Sequence, residues 1–154
     1  MRALVLFAPL LVACGPNAAT GEIDGVPFDR IRAAWFGDNV LIVSDAPLDC
    51  TQVGWVSDNY VEGPSVAPLT FTALQFTFDD GIPVGTFLAD RSQGVEVDAL
   101  VNTRDALVVH HAREGTVDVL AAEPTVDGTF SIAFGAGGVA GEFVAKSCLN
   151  LNGI

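Results

Sequence analysis

By residue type, three cysteines and two adjacent histidines are the side chains of this chain best suited to chemistry: Cys14, Cys50, Cys148, His110 and His111. A thiolate can serve as nucleophile or metal ligand and an imidazole as base or ligand, so spacing decides whether either is organised for the task. His110 and His111 are neighbours in a run that reads as a strand. Their side chains leave on opposite faces and cannot hold one ion between them, and one core-facing and one exposed histidine are expected. No His-x-x-x-His, Cys-x-x-Cys or Gly-x-Ser-x-Gly occurs. Gly63-Pro64-Ser65-Val66-Ala67 lacks the last glycine of a nucleophile elbow and carries proline where such a turn needs freedom, so a serine hydrolase is unsupported. Asp79-Asp80-Gly81 could lend oxygens to calcium, but without the spaced ligands of a calcium loop it reads as a turn that needs no ion. Carboxylates are too numerous for one pair to stand out as acid and base. The expectation is therefore no catalytic residue, no metal site and no bound cofactor.

Cys14 is set apart by what precedes it. Met1 and Arg2 form a short positive start, Ala3 to Leu10 an apolar run, and Leu11-Val12-Ala13-Cys14 follows. This resembles the bacterial lipobox. The resemblance implies an export signal over residues 1–13, a diacylglycerol thioether on Cys14, cleavage in front of it and acylation of the new amine. The apolar run is short and interrupted at Pro9, unlike a stable transmembrane span. Residues 14–20 then read as a lipidated polar tether, and 21–154 as a single domain. Gly15 follows the cysteine where some Gram-negative bacteria use Asp to retain a lipoprotein in the inner membrane, so the resemblance favours the outer membrane within the cell envelope. With Cys14 taken by lipid, Cys50 and Cys148 remain to pair as a disulfide in an oxidising compartment.

The charge balance excludes one partner class. A net charge of -12, with seven Lys and Arg residues in all, provides none of the basic clustering that a phosphate backbone rewards, so nucleic acid is not expected. Acidity of this kind belongs to a solvated face. The 154 residues are one domain's worth of chain and half of them are apolar. Sixteen glycines and eight prolines, with Val, Thr and Phe prominent, point to strands and turns.

The elements follow from period-2 alternation. Gly128 to Cys148 spells a hairpin: Phe130, Ile132 and Phe134 share one face, as do Val139, Gly141, Phe143 and Ala145, and a turn at Ala136-Gly137 pairs Phe134 with Val139 and Phe130 with Phe143. Upstream, Gly21 to Phe28 reads as a strand into a turn, and Ile31 to Phe36 as a strand joined through Gly37-Asp38-Asn39 to Val40-Leu41-Ile42-Val43, an apolar run buried on both faces. Asp45 to Cys50 is a loop, and a short helix after it carries Val53 and Val56, with Trp55 as a lid on the core. Glu62 to Pro68 is a loop. From Leu69 to Phe78 the apolar parity changes, which predicts a bulge near Ala73. Asp79-Asp80-Gly81 turns into a strand over Ile82 to Ala89. Val95, Val97, Ala99 and Val101 then alternate with outward Glu96 and Asp98. Ala106 to Ala112 and Thr116 to Ala121 flank Arg113-Glu114-Gly115 as another hairpin.

Taken in order, the lipobox, Gly21, Gly25 and Phe28, the Asp49-Cys50 pair, Gly85-Thr86-Phe87, and the terminal Gly128, Phe130, Phe134, Gly135, Gly141, Phe143, Ala145 and Cys148 resemble a group of small bacterial lipoproteins of unknown activity. The pattern specifies fold more than function. The fold expected is all-β, an antiparallel sandwich or partly closed barrel of about 8–10 strands with at most one short helix. The function expected is that of an exported lipoprotein held at the membrane by its lipid anchor, with a non-catalytic binding or structural β-domain. The alternatives are a hydrophobic-ligand carrier, if the barrel is hollow, or a hydrolase whose site is assembled from distant residues.

Overall fold

A computed structural model describes residues 17–58, 63–64, 70–90, 94–149 and 151. The signal, Cys14 and the first part of the tether lie outside these residues, as do Ser65 and most of the predicted 62–68 loop. The fold is all-β, with one helix among the described residues. It is organised by its longest strand, β12 (Gly138–Ser147), which follows β11 (Val126–Ala133) in an antiparallel hairpin. On its other edge Val139 to Glu142 pair with β1 (Ala18–Ile23), and then Lys146 and Ser147 run parallel to β3 (Ala33–Phe36). One strand thus joins two half-sheets. The first continues from β11 through β10 (Glu114–Ala121) to β7 (Gly85–Leu88). The second continues from β3 through β4 (Val40–Ser44), β6 (Phe71–Phe78), β8 (Val95–Asn102) and β9 (Ala106–His111) to β5 (Gly63–Pro64). The small β2 (Val26–Pro27) folds back on β1 through a turn in which Asp24 and Gly25 both take positive φ, 47° and 87°, the geometry a two-residue hairpin requires. The β12–β3 pairing is parallel and the other ladders are antiparallel. Among the described residues, ten of the twelve strands have four or more residues and the others two each.

The sheet curls until its two halves face each other, as a partly closed barrel. Leu41, Val43, Leu74, Phe76, Phe78, Val97 and Ala99 of the second half meet Val117, Val119, Phe130, Ile132, Phe143 and Ala145 of the first in one core. The Phe76 ring lies 5.6 Å from Phe130 and 6.4 Å from Phe143, and Phe78 meets Phe87 edge-on at 5.4 Å. A second core lies on the outer face of the second half. There Val40, Ile42, Phe71, Ala73, Leu100 and Leu107 pack with Val53 and Val56 of the helix α1 (Cys50–Asp58) and with Leu151. The helix begins with a reciprocal cap, in which the Gln52 N–H donates to Asp49 Oδ1 and the Asp49 N–H to Gln52 Oε1, each at 2.9 Å.

Several expectations are revised. The β11–β12 turn is Phe134–Gly137, so Ile132 pairs with Val139, Phe130 with Gly141 and Gly128 with Phe143, a shift of two residues from the predicted register. An even shift keeps every aromatic ring on the same face. The observed register also sets each phenylalanine over a glycine of the partner strand: a Cβ on Gly141 would lie 2.8 Å from Phe130 Cζ, and one on Gly128 2.8 Å from Phe143 Cζ. No bulge occurs at Ala73. β6 pairs without interruption on both sides, and its parity changes because Phe71 and Ala73 face the outer core whereas Leu74, Phe76 and Phe78 face the inner one. β9 and β10 are not a hairpin. The Ala112 N–H donates to Val97 and the Arg113 N–H to Ala133, so this connection steps from one half-sheet to the other. β7 likewise pairs with β10 and not with β6. Trp55 lies on the outward side of α1 and is 47% exposed, so it is no core lid. β1 begins at Ala18, inside the predicted tether.

Candidate functional site

Cys50 and Cys148 form the predicted disulfide, with Cα atoms 5.5 Å apart. The loop that delivers Cys50 is fixed by the Trp35 indole, whose Nε1 donates to the Leu48 carbonyl at 2.9 Å, and by the cap at Asp49. Cys148 follows β12 directly, its N–H donating to the Phe36 carbonyl at 2.7 Å. The bond therefore fastens α1 to the seam where β12 meets β3.

The histidines point to opposite faces, as expected, but neither is a core residue. His110 is half-buried, with Nδ1 2.6 Å from Asp24 Oδ2. Asp24 also accepts the Ala136 N–H, so the β1–β2 turn, β9 and the β11–β12 turn meet at this carboxylate. That backbone N–H, followed by His110 and Arg113, holds the Asp24 carboxyl below its ordinary value against the opposing effect of desolvation.

On the other face His111 Nδ1 lies 2.6 Å from Asp98 Oδ1. Asp98, expected to point outward to solvent, is only 2% exposed, whereas the His111 side chain is 61% exposed. The ladders explain the meeting. Ile42, Gln75, Asp98 and His111 stand opposite one another across β4, β6, β8 and β9, so their side chains share one face in a row. Glu96, two residues before Asp98 on β8, joins the same face, and one ligand atom each from Glu96, Asp98 and His111 lies within 4.8 Å of the others. Gln75 is 4% exposed, and its Oε1 has no hydrogen-bond partner. Sequence reasoning rejected a shared site for the two histidines without asking what else His111 could meet. The available signal was polar Gln75 and Asp98 in the middle of β6 and β8.

Elsewhere, Asp79-Asp80-Gly81 forms a bend with Gly81 at φ 66°. An open concavity of about 910 Å³ lies against the first half-sheet, bordered by Thr20, Leu88, Arg113, Thr116, Ser131 and Ala140. The space between the half-sheets is occupied by the Phe76, Phe130 and Phe143 rings. Among the described residues no helix is long and apolar enough to cross a membrane. Compared with known proteins, the chain matches no family model, no curated protein and no solved structure.

Proposed function

We propose that this chain is an exported bacterial lipoprotein, anchored through Cys14 to an envelope membrane, whose β-domain does binding or structural work and not catalysis. The Cys50–Cys148 bond carries the reading. A disulfide persists where the compartment is oxidising, and this one uses two of three cysteines, leaving the thiol that stands in the lipobox-like position. Gly15 after that cysteine favours the outer membrane. The ring-filled interior favours work at the outer surface over carriage of an apolar ligand inside. The hydrogen bond from the Val144 N–H to Asn17 Oδ1, at 2.8 Å, supports a domain held close to its anchor, since residues 15 and 16 alone separate Asn17 from Cys14.

Expression of the full chain in a Gram-negative host with radiolabelled palmitate tests this. The native protein is expected to take up label and sediment with membranes, and Cys14→Ser to do neither. Label retained by Cys14→Ser, or none on the native chain, overturns the reading.

A further inference from the structure

We propose that Glu96, Asp98 and His111, backed by the amide oxygen of Gln75, form a binding site for a divalent transition cation of the zinc type. Among the described residues these three side chains are the group whose ligand atoms converge, within 4.8 Å of one another. Convergence of acidic groups is common and would not suffice. The independent observation is Gln75, whose Oε1 is buried without a hydrogen-bond partner on the strand next to Asp98, directly opposite it and on the same face. A buried amide oxygen left unmatched is destabilising, and native interiors rarely tolerate one that has no use. Its cross-strand neighbours in the row are apolar Ile42 on one side and Asp98, whose carboxylate is an acceptor, on the other. Three acceptor side chains and one imidazole thus gather on one face, and a cation there would give the Gln75 oxygen a partner.

The donor set selects the ion. One imidazole nitrogen, two carboxylates and an amide oxygen, with no thiolate, suit a borderline divalent metal. Calcium takes six to eight oxygens and magnesium retains most of its water, so the imidazole has no place in either. Access is open at one end, where His111 is exposed, and closed at the other, where Gln75 and Asp98 are buried. The 2.6 Å contact between His111 Nδ1 and Asp98 Oδ1 orders both ligands in advance; a metal bound at Nδ1 takes the place of this contact, with the ring proton carried on Nε2.

Isothermal titration of the full chain with zinc chloride, after chelator treatment and dialysis, tests the site. One equivalent is expected to bind, with affinity at least tenfold weaker in His111→Ala and in Glu96→Gln, both peripheral enough to leave the fold intact by circular dichroism. Gln75→Met gives a second, opposed readout: it removes the unmatched oxygen, so the metal-free melting temperature is expected to rise while the further rise caused by zinc shrinks. Imidazole nitrogen shifts in NMR should move for His111 and not for His110. Absence of saturable zinc binding overturns the proposal, and so does binding that both ligand substitutions leave unchanged, which would place the metal elsewhere on the chain.

Discussion

Asp45 and Asp24 show how the same carboxyl group is driven in opposite directions by its surroundings. The Asp45 N–H donates to the Thr72 carbonyl at 3.0 Å, and Asp45 Oδ1 accepts the Thr72 N–H at 2.7 Å. Burial pushes its carboxyl up nonetheless, more strongly than the Thr72 N–H and the charges of Arg30 and Arg32 pull it down. The folded chain therefore holds this proton more tightly than the unfolded chain, and its contribution to stability declines as pH rises from the ordinary carboxylate range through the raised value. Asp24 runs the other way. Its lowered value means that its contribution is present above the ordinary carboxylate range and is lost as pH falls through the lowered one. Asn at position 45 keeps an oxygen for the Thr72 N–H and has no charge to bury. Asp45→Asn is thus expected to match or exceed the native urea midpoint at neutral pH, and to lose the stability that the native protein gains from Asp45 on mild acidification. A clearly lower midpoint at neutral pH would mean that the attraction of Arg30 and Arg32 outweighs burial.

At the scale of elements, the disulfide joins α1 to the β12–β3 seam, where the sheet is held by a two-residue parallel pairing. Cys148, and Leu151 behind it, close over the end of the β3–β4 hairpin so tightly that a Cβ on Gly37 would overlap the Leu151 carbonyl. The bond spans 98 residues of chain, and loop-closure entropy assigns such a constraint about 4.7 kcal/mol, with native disulfides typically contributing roughly 2–5 kcal/mol. The double substitution Cys50→Ala and Cys148→Ala is expected to lower unfolding free energy by an amount in that range, measured by chemical denaturation. A loss below about 1 kcal/mol would mean that the packing of Val53 and Val56 alone fastens the helix.

Across the whole molecule, stability is layered from β4, β6 and β8, buried on both faces, out to β7, an edge strand with Leu88 exposed. Native-state hydrogen exchange is expected to find the slowest amides in β4, β6 and β8 and early opening at β7; uniform protection across the sheet would contradict the layering. The same layering explains what could be read in advance. The sequence by itself determined the all-β class, the face of each residue in β11 and β12 and the two-sided burial of Val40 to Val43, because period and turn chemistry are local, whereas the pairing of Cys50 with Cys148 is reached only by setting Cys14 aside on its lipobox resemblance. It did not determine neighbours. Ala106 to Ala121 reads as a hairpin because Arg113-Glu114-Gly115 is turn-like, yet β9 and β10 belong to different half-sheets, a choice made by where the curled sheet can bury Val97 and Val117 in one core. The parity change in β6 reads as a bulge because one buried face was assumed, whereas the tertiary structure supplies two. The row of Gln75, Asp98 and His111 lies on three strands with no shared motif, and only nonlocal pairing brings them together, since alternation fixes which face a side chain takes but not what stands beside it.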